Sequence, residues 1–137
     1  MNKIRTILLV DDDFITNFIN KKLLDRLNIA EEVKIVVNGP QGLNCLEGSC
    51  FKTKKNPEII FLDINMPGMD GFDFVRNFNA SNFQNKDKVK ICVLTTSTNH
   101  ADFERMEELG VKYFLNKPLT KEKVEEFLRR VEGELAG

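Results

Sequence analysis

Four apolar runs in this chain end on residues able to do chemistry. Ile7-Leu8-Leu9-Val10 runs into Asp11-Asp12-Asp13, and Ile59-Ile60-Phe61-Leu62 stops on Asp63. Ile91-Cys92-Val93-Leu94 ends on Thr95, and Tyr113-Phe114-Leu115-Asn116 on Lys117-Pro118. Short apolar runs bounded by turn residues read as buried strands. The carboxyl ends of strands are where open α/β sheets place their ligands. An acid pair, a lone acid, a hydroxyl and an ammonium at one sheet edge therefore read as a single site. Carboxylates gathered so closely repel one another strongly in a partly dry setting. Lys117 supplies one compensating charge, and a divalent cation is the natural remainder. All-oxygen ligands favour Mg²⁺, which keeps several waters and needs few protein ligands. Such a cation beside a lysine and a hydroxyl is equipped to neutralise a phosphoryl group. Asp63 is then either a ligand alone or a nucleophile that forms an aspartyl phosphate. The chain has no G-x-x-x-x-G-K-[ST] loop, so the usual cradle for a nucleoside triphosphate is missing.

Each of these residues also has a plainer reading. Asp13 reads best as the cap of the first helix. Thr95 alone would be a strand residue, and Lys117 before Pro118 a turn lysine. A cap needs one acid, however, and Asp11 and Asp12 are two more. It is the coincidence at one edge that favours chemistry.

The elements that must position them alternate between strand and helix. Ile15, Phe18, Ile19, Leu23 and Leu27 recur at three- and four-residue spacing and predict a first helix with that set as its apolar stripe. Val33–Val37 is a second strand, and Asn38-Gly39-Pro40 turns into a helix around Leu43 and Leu46. The Pro/Gly turn Met66-Pro67-Gly68-Met69-Asp70-Gly71 leads from Asp63 into a third helix bearing Phe72, Phe74, Val75 and Phe78. A polar stretch from Asn79 to Lys88 precedes the strand Val89–Thr95. Asn99 and Asp102 resemble a capping pair opening a fourth helix that ends near Gly110. Val111–Asn116 is the fifth strand, and Val124, Phe127, Leu128 and Val131 stripe the last helix. Five strand–helix units without a repeat predict an α/β fold: a flavodoxin-like, doubly wound, five-stranded parallel sheet of order 2-1-3-4-5 with five helices. That order sets the first and third strands side by side and so brings Asp11 and Asp12 to Asp63. The second strand, which carries no charge at its end, falls farthest from the crevice.

The rest of the chain narrows the function by exclusion. Its 137 residues suffice for one domain. A net charge of −1, without a dense basic stretch, gives no footprint for nucleic acid. Lys52, Lys54 and Lys55 read as a solvated loop. No apolar segment approaches the roughly 20 residues that span a bilayer, and the short amino-terminal run meets three aspartates and is no signal peptide. Cys45, Cys50 and Cys92 lack metal-ligand spacing and fit a reduced, cytoplasmic interior, with Cys92 in the core. His100, the only histidine, lies in a polar stretch without a triad partner.

These residues together carry a resemblance. The chain resembles a response-regulator receiver domain of two-component signalling, of the CheY-like, stand-alone type, over essentially its whole length. Asp11-Asp12 is similar to that family's acidic pair, and Asp63 to its phosphoacceptor. The turn from Met66 to Gly71 is similar to the one that follows the acceptor, Thr95 to the switch hydroxyl, and Lys117-Pro118 to the Lys-Pro with a cis bond. The resemblance implies a phosphorylation-dependent switch rather than an enzyme acting on a separate substrate; it would catalyse only its own phosphotransfer and autodephosphorylation. It implies that Asp63 takes a phosphoryl group from a sensor histidine kinase or a histidine phosphotransfer protein. Mg²⁺ would be held by Asp12, Asp63 and the Asn65 backbone carbonyl, with Asp11 acting through water. Lys117 would contact the phosphoryl oxygens and Thr95 would move inward to them. The output would be a change in the face formed by the fourth helix, fifth strand and fifth helix, read by a downstream protein. The molecule would be a monomer, or a weak dimer linked to phosphorylation, acting as a single domain over residues 1–137 with no effector domain.

This chain also departs from that pattern. Phe114 stands where the family commonly has an inward-turning tyrosine, so coupling to Thr95 is expected to run through packing. Tyr113, one residue away, is expected on the opposite face of the strand. Thr96 stands where that family often has a smaller residue, and Asn65 and Ser97 occupy the two positions that, in that family, flank the path of attacking water. Two competing readings are weaker. A phosphohydrolase with an aspartyl nucleophile would want an acid two residues after it, where Asn65 stands. A receiver-like fold that is never phosphorylated would be expected to lack the acid pair, the acceptor or the lysine, and all are present.

Overall fold

The structure is a computed structural model and describes residues 4–96 and 99–136. Five strands, β1 (Ile4–Val10), β2 (Ala30–Val36), β3 (Ile59–Asp63), β4 (Lys90–Thr95) and β5 (Tyr113–Asn116), form one sheet of order β2-β1-β3-β4-β5. Every neighbouring pair is parallel. The helices are α1 (Phe14–Leu27), α2 (Gly39–Asn44), α3 (Gly71–Ala80), α4 (His100–Glu108) and α5 (Lys121–Ala136). The expected order and element count are those observed. The polar stretch before β4 is broken by a short 3-10 turn at Lys86–Lys88.

Alternation along the strands divides the core in two. Leu8, Val10, Ile60, Leu62 and Val93 meet Phe72, Phe74, Val75, Phe78 and Met106 on the face that carries α2, α3 and α4. Ile7, Leu9, Phe61, Cys92 and Tyr113 meet Leu24, Val124, Phe127, Leu128 and Val131 on the face covered by α1 and α5. The expected separation of neighbours on β5 holds, since Tyr113 belongs to the second cluster and Phe114 packs against the first.

Helix α1 is turned relative to its expected stripe. Leu23 and Leu27 do pack on the sheet side. Phe14, Ile15, Phe18 and Ile19, however, are 75, 66, 52 and 57% exposed, while Asn17 and Asn20 are buried beside Leu24. Both sets obey helical spacing, so period alone did not decide between them. The entry to the helix decides it. Asp13 caps α1 by accepting from Ile15 N at 3.1 Å, and the Asn17 carboxamide donates to the Asp11 backbone carbonyl at 2.7 Å. A buried carbonyl needs that partner, and an apolar side chain does not supply one.

The cysteines also differ from expectation. Cys45 and Cys50 form a disulfide across the connection from α2 to β3. Only Cys92 is a free, buried thiol, so the expectation of three reduced cysteines is corrected for two of them. Among the described residues no helix is long and apolar enough to cross a membrane.

Candidate functional site

The sheet order brings the ends of β1, β3, β4 and β5 to one edge, and the connections there are shaped to fit. After β3 the chain turns through Gly68, at φ +77°, and returns so closely that Gly71 N donates to Ile64 O at 2.8 Å. A Cβ on Gly71 would lie 2.8 Å from Ile64 Cα and 2.9 Å from the Asp63 carbonyl. Glycine is therefore required for α3 to start directly behind the acid. Asp70 and Asp73 then cap α3 reciprocally. On the opposite side, Lys117 N donates to Thr95 O at 2.9 Å, and a cis bond joins Lys117 to Pro118.

These connections gather the expected residues. Lys117 Nζ lies 3.0 Å from Asp11 Oδ2 and 3.0 Å from Asp63 Oδ1. Asp11 and Asp63 are buried and Asp12 is exposed, and carboxylate oxygens of all three lie within 4.8 Å of one another. Asp13 stands apart as the cap, its carboxyl held below the usual range mainly by the Thr16 hydroxyl. Thr95 is buried at the end of β4, beside β3. Asn65 follows Asp63 by two residues and is exposed. Phe114 packs edge-on against Phe103 of α4, with centroids 5.2 Å apart. Ser97, which flanks the expected water path, lies outside the described residues.

One ammonium serves two buried carboxylates, and the electrostatics reflect that shortage. Burial works against the Lys117 ammonium, but its hydrogen bonds to Asp63 and Asp11 and their charges outweigh it and raise its pKa. Asp63 is pushed upward, first by burial and further by the Asp11 charge, and the Lys117 hydrogen bond offsets this only in part. The site thus binds its lysine firmly and still holds more negative charge than it neutralises. Three clustered carboxylates, two of them desolvated, suit a hard divalent cation.

Asn17 and Asn20 were not anticipated. Asn17 fastens the corner that carries Asp11, and its Oδ1 is buried without a partner among the described residues. The sequence did hold a signal: positions 17, 20, 24 and 27 form a second helical stripe that begins six residues after Asp11. Its asparagines made it resemble a solvent face. The outward stripe of Phe14, Ile15, Phe18 and Ile19 begins two residues after Asp12, directly behind the Asp13 cap. Phe14 and Phe18 stack with centroids 6.5 Å apart, and Lys22 Nζ lies 5.3 Å from the centre of the Phe18 ring.

Comparison with known proteins gives a consistent result. Residues 7–129 match the family model described as response regulator receiver domain. The chain is 31% identical to two-component response regulator 24 of Arabidopsis thaliana, over 92% of this chain and 83% of that protein. A two-component response regulator from Cytophaga hutchinsonii superposes with a TM-score of 0.82 at 33% identity, over 96% of this chain and 99% of that one. The receiver domain of a sensor histidine kinase from Pseudomonas aeruginosa PAO1 superposes with a TM-score of 0.73 at 25% identity, over 93% and 96% of the two chains. That structure has a magnesium ion coordinated in its active-site cleft.

Proposed function

The chain belongs to the response regulator receiver domain family, and from that premise we propose that Asp63 is its phosphoacceptor. The observation that carries this reading is Lys117 Nζ, 3.0 Å from both Asp63 and Asp11, beside a third carboxylate at the sheet edge. The donor is a phosphohistidine on a sensor kinase or phosphotransfer protein. Asp63 attacks phosphorus as a carboxylate, the P–N bond breaks as the new P–O bond forms, and the leaving imidazole takes a proton from solvent.

The side chains divide the work. Lys117 pairs with a phosphoryl oxygen as a point charge and so exchanges part of its contact with Asp63 for one with the product. Asp12 and Asp63, with the Asn65 backbone carbonyl, are the ligands proposed for Mg²⁺, and Asp11 acts through water. The cation supplies charge neutralisation for Asp63 and the incoming phosphoryl oxygens. Thr95 donates its hydroxyl to the phosphoryl group, and Phe114 moves into the space this opens. Phe114 already touches Phe103, so the shift reaches the face of α4, β5 and α5 by packing. Phosphorylation biases two arrangements of that face, and a downstream protein distinguishes them.

Any protein donor must lie over the edge where Asp63 opens. The apolar side chains that α1 presents beside it, Phe14, Ile15, Phe18 and Ile19, are a surface of the kind such a donor covers. Acetyl phosphate needs no such docking, so it isolates the chemistry. Intact mass after treatment with acetyl phosphate and Mg²⁺ should show one added phosphoryl group in the wild type, none without Mg²⁺ and none in Asp63→Asn. If no adduct forms and a beryllofluoride mimic also fails to bind, the phosphoacceptor reading falls.

A further inference from the structure

We propose that Cys45 and Cys50 are a reversible redox modification site, interconverting between dithiol and disulfide with a small anionic disulfide of the glutathione class as co-reactant. This proposal does not rest on the phosphorylation reading. The two Cα atoms are 5.1 Å apart, across a turn that does not depend on the sulfurs for its shape. Gly48 N donates to Cys45 O at 3.0 Å, Phe51 N to Gly48 O at 3.1 Å and Ser49 Oγ to Asn44 O at 2.9 Å. Gly48 sits at φ +93°, where a Cβ would lie 2.7 Å from the Lys54 carbonyl, so the turn is built for glycine. Phe51 is buried in the core next to Cys50, and Asn56 Nδ2 ties the far side of the loop to Leu46 O at 2.6 Å. These contacts keep the two sulfurs neighbours when the bond is open. A bridge over so short a loop also constrains the unfolded chain little. Reduction therefore need not unfold the protein.

The two sulfurs are unequal in the way exchange requires. Cys45, at the C-terminal cap of α2, is buried, whereas Cys50 is partly exposed. Beyond Cys50 the chain continues into the exposed Lys52, Lys54 and, two residues past a threonine, Lys55. Positive charge along this loop draws an anionic co-reactant. Of the acids in this region, Glu32 is engaged by the Lys52 backbone N–H at 2.8 Å, and Glu47 lies exposed on the loop itself. The Cys50 thiolate attacks one sulfur of the small disulfide and expels one thiolate. The Cys45 thiolate then attacks the Cys50 sulfur of the mixed disulfide, closing the protein bond and releasing the second thiol. The protein loses two protons and two electrons, and the co-reactant gains them. Cys92 takes no part, because burial raises its thiol pKa well above the usual range.

The full chain, equilibrated across a series of glutathione and oxidised glutathione ratios, then unfolded in N-ethylmaleimide and weighed intact, tests this. Three adducts are expected at the reducing end and one at the oxidising end, with a smooth, reversible transition and peptide mapping that assigns the loss to Cys45 and Cys50. Three adducts at every ratio would overturn the proposal. So would a single adduct across the whole series, which would mark a fixed bridge, or glutathione retained on Cys50. Cys50→Ser, a change at the partly exposed partner, should carry two adducts throughout; pairing of Cys45 with Cys92 in that variant would also count against it.

Discussion

Helices α1 and α5 cover the same face of the sheet and use opposite sides of comparable patterns. In α5 the apolar stripe points inward: Val124, Phe127, Leu128 and Val131 are all buried, and Phe127 meets Phe61 at 5.6 Å and Tyr113 at 5.3 Å between centroids. In α1 the inward side holds Asn17, Asn20 and Leu24, while two phenylalanines and two isoleucines face water. Apolar spacing therefore reports the period of a helix, and something else must fix its phase. In α1 that is the polar anchoring at Asp13 and Asn17, which serves the acidic site. The fold gains nothing from four large exposed apolar side chains, and contiguous apolar surface invites association. They follow the acid pair in the chain, where the phosphoryl donor proposed above would cover them.

The comparison breaks if the two helices respond alike to truncation. Phe127→Ala should cost about 3–5 kcal/mol of unfolding free energy, the usual range for emptying a buried aromatic site. Urea titration checks this, and a cost below about 1 kcal/mol would show that α5 is not the well-packed member of the pair. The next effect concerns the acidic site that α1 is anchored to. Mg²⁺ at a hundred times its Kd should stabilise the wild type by about 2.7 kcal/mol, and Asp12→Asn should remove most of that. Thermal melts with and without Mg²⁺ read it directly. Because Asp12 is exposed, outside the Lys117 pair and one of three clustered carboxylates, its neutralisation relieves repulsion, so the metal-free melt of the variant should lie at or somewhat above that of the wild type.

A smaller effect tests the anchor itself. Asn17→Ala removes the donor to the Asp11 carbonyl and should cost about 1–2 kcal/mol, the lower part of the roughly 1–3 kcal/mol range for stranding a buried acceptor, because the partnerless Asn17 Oδ1 is removed with it. It should also weaken the Mg²⁺-induced shift in melting temperature, because the Asp11 corner loosens. An unchanged shift would reduce Asn17 to a packing residue and leave the phase of α1 to Asp13 alone.

How far the sequence could be read follows from what each feature depends on. The four strand ends were legible because a strand announces itself locally, by a short apolar run and a turn residue, and parallel topology then places all such ends together. The separation of Tyr113 from Phe114 was legible for the same reason, since alternation is a property of one strand. The direction of α1 was not, because it depends on a hydrogen bond between Asn17 and a carbonyl six residues earlier. Nor was the Cys45–Cys50 pairing, which needs a turn closed at Gly48 and supported by the distant Asn56.

The smallest stability effect sharpens the comparison most. Phe18→Ala should change unfolding free energy by no more than about 0.5 kcal/mol, because the ring is half exposed and, among the described residues, its aromatic and cation contacts are with Phe14 and the Lys22 ammonium. Labelling by acetyl phosphate should proceed at the wild-type rate, since Asp63, Lys117 and the acidic pair are untouched. Transfer from a phosphorylated histidine phosphotransfer protein that labels the wild type should instead fall at least ten-fold. Aromatic side chains at the centre of a covered patch often contribute 2 kcal/mol or more to association. The ratio of the two rates is the decisive quantity, because folding defects and damage to the site lower both together. Equal rates from the protein donor would mean that the outward face of α1 is covered by something other than the phosphoryl donor.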